Sequence, residues 1–511
     1  TESRGFIVLD DENTQTKKTL TTMSLVLMII TTVYGFGNVS VSYRQMTYAG
    51  IIWFILAGIC FFFPAGLMMA EYGSAFHDAK GGIYSWLAGS IGEKWAFIGT
   101  FVWLANWVLW LVSSASRLWI SISALVFGKD TTQSWDLFGL HGTQLIGVLA
   151  ILFMILSTYL SSKGMTGIKL MSSIGGWFMI GMNLVFIISS LVVIIINHGQ
   201  LAQPINGWQS FIVSPNKDFQ TPITIISFVV YAVFAYGGME TVGGVIDSMK
   251  HPEKDFPKGL IIGSLFTIIS YVLMIFMTGF SVNYQKDIVE TGANTGNITY
   301  VVYGTLGKAF GHALNLDPHT SLMIGKVFTR AIALSGLMGM MGAFFVLLYS
   351  PVKSFIMGSD PRLWPKAATK LNKHGIPANA MWAQTIFVCL LIAVVSFGGS
   401  AATSFYQILT DMGNVAATAP YIFLIGAFPF FLKKDYPRKF RVFTNYKWTI
   451  ALVVFVELIV CTGILFTVLQ PVLEHRYATA FWTAFGPIFF GLVAYIFYRV
   501  SKKRHGLKDL D

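Results

Sequence analysis

The feature that most constrains the fold of this chain is a succession of apolar stretches, each about twenty residues long or longer. A helix needs roughly 20 apolar residues to cross a bilayer. Of the 511 residues, 54% are hydrophobic and only 12% are charged, and the charged fraction is about half that of a soluble protein. The sequence therefore predicts an all-α polytopic membrane protein.

Twelve apolar spans can be delimited along the chain. They cover residues 20–46, 49–72, 92–126, 143–162, 168–196, 222–248, 258–281, 322–350, 378–397, 401–431, 447–469 and 478–500. With both termini in the cytoplasm, most of the 35 Lys and Arg residues fall in inward-facing loops, as the positive-inside rule requires. Residues 1–19 and 501–511 are then cytoplasmic tails of a multi-pass protein in the cytoplasmic (inner) membrane.

The same charge distribution accounts for the net charge of +11 without nucleic acid as a partner. Three cysteines, Cys60, Cys389 and Cys461, lie inside apolar spans and lack metal-ligand spacing. We find no catalytic triad, phosphate loop or nucleotide motif. We therefore expect no enzyme activity, no cofactor and no metal, and a lipid bilayer as the surroundings.

Glycines interrupt the first and sixth spans at corresponding places. Gly35, Phe36 and Gly37 precede Asn38 in the first span, and Gly237 and Gly238 stand in the sixth. Glycine lowers the cost of unwinding a helix, and Asn38 can bond the freed backbone groups. Five spans per half place residues 20–196 and 222–431 in opposite orientations, with 447–500 outside this repeat. Paired broken helices in inverted repeats indicate a transporter site at the bilayer midplane.

Several motifs, in order along nearly the whole chain, resemble those of the amino acid–polyamine–organocation superfamily. They are residues 234–240 (FAYGGME) with 251–257 (HPEKDFP), residues 70–73 (AEYG) with 81–86 (GGIYSW), and residues 363–365 (LWP) with 375–377 (GIP). Within the superfamily the chain is most similar to the glutamate/GABA antiporter branch and its bacterial inner-membrane permeases.

The resemblance implies a LeuT-like five-plus-five inverted repeat with twelve transmembrane helices, of which helices 1 and 6 are broken. It implies secondary active transport of amino acids or related amines by alternating access, as exchange or as proton-coupled symport. The fifth span lacks the lysine that proton-coupled relatives place in mid-span, and Lys169 at its mouth is the one substitute, which favours exchange. Homodimers occur among relatives. A membrane-embedded sensor and a channel are the remaining alternatives.

The resemblance also indicates substrate-binding positions in four spans. They are Gly35, Phe36, Gly37 and Asn38 in the first span, Ala105, Asn106, Trp110 and Ser113 in the third, Phe234, Tyr236, Gly237 and Gly238 in the sixth, and Phe344 in the eighth. Phe36 replaces a small hydroxyl residue of the arginine/agmatine exchanger and Trp110 replaces an amide, which argues against a substrate as large as arginine. For Trp110 and Phe344, ordinary helix packing is the alternative.

Three ionisable residues inside spans are candidates for gating or proton coupling, because charges in a membrane are costly and usually functional. Glu240 follows the second break, where it could carry a proton or could accept bonds from freed backbone N–H groups. Asp411 could bind the ammonium group of a substrate. Arg117 could form an ion pair with an acid, either as a gate or as a fixed lock.

Overall fold

The computed structural model describes residues 18–400, 408, 411–413, 415–416, 418–508 and 510. Most of the predicted N-terminal tail, much of the first half of the tenth span and two residues of the C-terminal tail lie outside this part. The described chain is a bundle of helices. It also contains one two-stranded antiparallel hairpin, Asp136–Leu137 with Leu140–His141.

The described α-helices are numbered here in chain order. They are α1 (Thr22–Val33), α2 (Phe36–Met46), α3 (Ile51–Ala57), α4 (Phe63–Ala75), α5 (Ile83–Ile91), α6 (Glu93–Phe127), α7 (Thr143–Ser161), α8 (Met165–Ile196), α9 (Pro222–Phe234), α10 (Pro252–Thr278), α11 (Ile298–Ala313), α12 (Pro318–Gly358), α13 (Lys366–Thr369), α14 (Ala378–Phe397), α15 (Ala419–Gly426), α16 (Phe428–Lys434), α17 (Tyr446–Leu473) and α18 (Tyr477–Arg504).

Within the described residues, ten helical segments are long and apolar enough to cross a membrane, which confirms a polytopic membrane protein. Phe36–Ala75 forms one such continuous segment, and α1 is apolar but shorter than a span. The tenth predicted span falls partly outside the described residues. Twelve helices and an inverted repeat stay predictions.

The first span is interrupted where the glycines suggested. Helix α1 ends at Val33, and Tyr34 and Gly35 are extended before α2 begins. The sixth span is interrupted after α9, and its continuation from Met239 to Ser248 is a 3-10 helix. Gly238 has φ = +121°, a conformation that residues with a side chain rarely adopt. Both breaks therefore expose helix ends inside the bundle.

Other helices pack around the two breaks. Helix α1 packs against α8, α10 and α12, and the 3-10 segment packs against α12. Residues 282–321, between the seventh and eighth apolar spans, contain α11, which packs on α2, α8 and α12. Counting apolar length overlooks this helix because it is shorter than a membrane span. Its Tyr303 ring packs against Phe36 beside the first break.

Candidate functional site

A cavity of about 390 Å³ lies between the two helix breaks. Its walls come from the end of α1, from α2 and α9, and from single faces of α6 and α12. The lining residues are Thr31, Thr32, Val33, Asn38, Asn106, Trp107, Trp110, Tyr231, Phe234, Ala235, Gly237, Ala343 and Leu347. Cavities of this size suit small ligands.

Tyr271 of α10 ties the two breaks together. Its hydroxyl lies 3.1 Å from the carbonyl oxygen of Val33 and 3.1 Å from that of Ala235. The same hydroxyl accepts from the backbone N–H of Gly35 at 3.2 Å and from the Asn38 amide at 2.9 Å. The hydroxyl has one hydrogen and donates to one of the two carbonyls at a time, while it accepts from the Gly35 N–H, so it bonds backbone groups at both interruptions.

Asn38 extends this network into the cavity. Its side-chain oxygen accepts from the Tyr231 hydroxyl at 2.8 Å while its amide nitrogen donates to Tyr271. Tyr231 and Asn38 both line the cavity. The amide is therefore held at both ends in one orientation on the cavity wall.

The lining is mostly apolar, with five polar side chains from Thr31, Thr32, Asn38, Asn106 and Tyr231. None of the described lining residues is Asp, Glu, Lys, Arg or His, so a ligand's charges would meet backbone dipoles. The first N–H groups of α2 carry partial positive charge, and the last carbonyls of α1 and α9 carry partial negative charge. Trp107 is 9% exposed, and its indole N–H has no hydrogen-bond partner among the described residues.

Five of the predicted substrate positions meet at this cavity, and they come from three helices and from the turn that follows α9. They are Asn38, Asn106, Trp110, Phe234 and Gly237. Gly35, Gly37, Tyr236 and Gly238 belong to the breaks themselves but are not among the lining residues. Ala105 and Ser113 lie on α6 and also do not line it, and the Ser113 hydroxyl donates to the Trp110 carbonyl at 3.1 Å.

Two predicted aromatic positions contribute indirectly. Phe36 is buried, and its ring packs edge-on against Tyr34 and Tyr303, with centroids 5.6 and 6.1 Å away. It fills the core and is absent from the lining. Phe344 is fully buried between Trp110 and Phe153, at 6.2 and 4.8 Å. Phe344 therefore supports the cavity wall by packing behind Trp110.

Glu240 lies behind the second break and is 2% exposed. Its Oε1 accepts from the Trp103 indole at 3.1 Å, and its Oε2 accepts from the Gly238 N–H at 3.2 Å. The Tyr421 hydroxyl also bonds Oε2. The carboxylate thus meets three donor groups, an arrangement that suits a cap on freed backbone.

The other two ionisable candidates are not part of the cavity wall. Arg117 is exposed, and its guanidinium donates to the hydroxyls of Ser114 and Ser113 at 3.2 and 3.4 Å. Asp411 is buried in a stretch that the structure describes only in part. Their roles as gate or ammonium partner stay predictions.

Sequence reasoning missed several lining residues and the central hydroxyl. Helical spacing could have found some of them: Tyr231 is three residues before Phe234, and Trp107 is three before Trp110, so each pair shares a face. Tyr271 carries no such signal, because it lies on a helix with no motif at that position. Only the packing of α10 across both breaks identifies it.

Comparison with known proteins gives a consistent result. The amino acid permease family matches residues 20–494. The inner membrane transporter YjeM of Salmonella typhimurium is 43% identical over 493 residues, which cover 96% of this chain and 98% of that protein. The aspartate/glutamate permease AcaP of Lactococcus lactis subsp. cremoris is 25% identical over 405 residues, covering 78% and 76%. The glutamate/gamma-aminobutyrate antiporter of Lactococcus lactis subsp. lactis is 24% identical over 418 residues, covering 81% and 75%.

Proposed function

We propose, since this chain belongs to the amino acid permease family, that it exchanges neutral, zwitterionic amino acids across the inner membrane by alternating access. The family and these relatives are transporters rather than enzymes. The proposal includes both termini in the cytoplasm, twelve spans in two inverted halves, and a substrate site at the cavity between the breaks. A homodimer is compatible with it.

The observation that carries this proposal is the opposed polarity of the helix ends around an uncharged cavity. A zwitterion presents a carboxylate and an ammonium a few ångströms apart. In this proposal the carboxylate lies toward the N-terminal end of α2, where Asn38 lines the cavity. The ammonium lies toward the carbonyl ends of α1 and α9, where residues 31–33 and 234–235 line it. A net charge on the substrate side chain would lack a charged partner among the described lining residues.

The tryptophans of α6 set the size of the side chain that the cavity accepts. Trp107 and Trp110 both line the cavity, and their ring centroids are 6.2 Å apart. Phe344 packs behind Trp110 and prevents the Trp110 ring from moving away from the cavity. We infer a small or medium side chain, in keeping with a cavity of about 390 Å³.

Exchange is favoured over proton-coupled symport by the surroundings of Glu240. Its three bonding partners, Trp103, Gly238 and Tyr421, hold the carboxylate as a cap on the break. Lys169 at the start of α8 donates to the Thr19 carbonyl at 3.0 Å and does not line the cavity. Neither group is positioned to pass a proton directly to a substrate in the cavity.

Counterflow in proteoliposomes tests the function. Vesicles preloaded with neutral amino acids should accelerate uptake of the same labelled amino acid, whereas arginine or an amine without a carboxylate should not. The exchange proposal fails if no preloaded amino acid accelerates uptake. The zwitterion proposal fails if a carboxylate-free amine exchanges as fast as a neutral amino acid.

A variant pair tests the site. Trp110→Ala should extend exchange to larger side chains, because it opens the cavity wall. Trp448→Ala, an exposed tryptophan at the start of α17, removes the same side chain elsewhere and should leave the substrate range unchanged. Identical substrate ranges for both variants would remove Trp110 from the site.

A further inference from the structure

A second cavity, of about 800 Å³, lies where the end of α18 meets the start of α6. Its lining carries five basic side chains and, among the described residues, no acidic one. The basic residues are Lys94, Arg499, Lys502, Lys503 and Lys508. This cavity is separate from the one between the helix breaks, and the two share none of their described lining residues.

Tyr495 joins the two helices that form this cavity. The Lys94 ammonium lies 5.3 Å from the centroid of the Tyr495 ring, and the Arg499 guanidinium carbon lies 5.7 Å from it. Arg499 also donates to the Tyr495 hydroxyl at 3.2 Å. Cation–π contacts of this kind hold two positive groups over one aromatic ring. The positive charges are thus positioned by the fold.

The chain that follows α18 folds back to form the opposite wall. The buried Tyr498 hydroxyl donates to the carbonyl of Leu510 at 2.7 Å, and the Lys502 ammonium donates to the same carbonyl at 3.1 Å. Leu507 is buried in the cavity wall. The basic groups therefore surround a cavity with defined walls and are not simply spread over a convex surface.

Like charges gathered in this way repel one another unless an anion joins them. Within the described part of the chain, Lys94, Arg499, Lys503 and Lys508 form no ion pair with a carboxylate. A phosphate group is the natural ligand for several Lys and Arg side chains that converge on one point. This cluster of positive charges therefore favours the binding of an anion that carries a phosphate group.

The surroundings of the cavity identify the source of that phosphate as a lipid. Leu492, Ile496 and Val500 follow one another at helical spacing on α18 and are 53%, 51% and 60% exposed. They form an apolar, lipid-facing strip that leads to the basic cavity at the end of the span. Trp95, beside Lys94, is also half exposed, as is common for tryptophan at the membrane–water boundary.

We propose that this cavity binds the headgroup of an anionic phospholipid, with the phosphate among Lys94, Arg499, Lys503 and Lys508 and the acyl chains along the α18 strip. Basic pockets between transmembrane helices at this depth suit anionic headgroups. A soluble phosphate would use the basic groups alone and would leave the strip uninvolved. The proposal is independent of the substrate cavity and of the exchange function.

Thermal unfolding of the full-length protein in detergent tests the proposal, with added phosphatidylglycerol, phosphatidylcholine or inorganic phosphate as the probe. Phosphatidylglycerol should raise the melting temperature, because a ligand that binds the folded state stabilises it. Phosphatidylcholine and inorganic phosphate at equal concentration should not. Each basic residue near an anionic surface strengthens binding roughly fivefold. Lys94→Gln/Arg499→Gln should therefore weaken phosphatidylglycerol binding about thirtyfold.

The matched control is Lys366→Gln/Lys370→Gln, which removes two exposed lysines outside the cavity and should keep full phosphatidylglycerol binding. If the first double variant does not fold, Lys503→Gln/Lys508→Gln replaces it, since both side chains are exposed. Equal weakening by control and cavity variants overturns the proposal. So does stabilisation by phosphatidylcholine equal to that by phosphatidylglycerol. Stabilisation by inorganic phosphate alone would overturn the assignment to lipid.

Discussion

Replacing Tyr271 with phenylalanine removes one hydroxyl from the junction of the two helix breaks and leaves the ring in place. The ring packs against Tyr34, Phe54 and Tyr236, with centroids 5.1 to 5.3 Å away, and those contacts persist in the variant. The change therefore isolates the hydrogen bonds from the packing. The variant therefore tests whether the geometry of the two breaks depends on the Tyr271 hydroxyl, which belongs to neither break.

The expected loss of stabilisation at the junction follows from the hydrogen-bond partners of the hydroxyl. A hydroxyl donates one hydrogen bond and accepts two, and four polar atoms surround this one: the N–H of Gly35, the Asn38 amide and the carbonyls of Val33 and Ala235. An unsatisfied buried polar group costs about 1–3 kcal/mol. Water in the cavity can reach Asn38, which lines it. Two groups then lose a partner, at a total of about 2–6 kcal/mol.

The assay compares substrate binding and thermal stability. If substrate binding needs both breaks in their present geometry, a loss of about 2 kcal/mol weakens that binding about thirtyfold. Thermal unfolding with increasing substrate measures this affinity, and proteoliposome exchange measures transport. The matched control is Tyr48→Phe, which removes a hydroxyl that donates to the Gln203 carbonyl, at 2.8 Å, outside the cavity.

Two results would refute the reasoning about Tyr271. The first is a Tyr271→Phe protein with the melting temperature and the substrate affinity of the original chain. The second is a loss of substrate affinity no larger than that caused by Tyr48→Phe, since the hydroxyl would then have no special connection to the breaks.

Three further changes have defined outcomes. Gly238→Ala should abolish exchange and lower the melting temperature, because φ is +121° and the new Cβ would lie 2.6 Å from the Thr32 carbonyl oxygen, a strain of about 1–3 kcal/mol. Glu240→Gln should lower the melting temperature while leaving the shape of the pH–exchange profile unchanged, because the residue caps the break. Arg438→Met should destabilise the fold by about 3–5 kcal/mol, measured by thermal unfolding, because it leaves the fully buried Glu71 without its cation.

Each of these changes has a control. Gly37→Ala should be tolerated in the fold, because a Cβ there meets nothing within 4 Å. Tyr421→Phe removes one partner of Glu240 and should act in the same direction as Glu240→Gln. Arg441→Met removes an exposed arginine of the same loop and should change the melting temperature little. A flattened pH profile in Glu240→Gln would contradict the cap and restore proton coupling.

The sequence by itself was sufficient for the class of fold and the location of the helix breaks. Apolar length is a property of a continuous segment, so spans such as α6, α8 and α17 can be read directly from it. Glycine at 35, 37, 237 and 238 marks backbone freedom in the same local way. The family match then confirmed transport as the function class.

The tertiary structure decided which side chains face the cavity, because the direction of a side chain depends on how its helix is rotated against its neighbours. Phe36, which the sequence placed in the substrate site, packs against Tyr34 and Tyr303. Tyr271, which no motif marks, bonds both breaks. The basic cavity likewise unites Lys94 with residues about 400 positions later in the chain. Contacts between distant segments are absent from local patterns, so they emerge only when the helices pack.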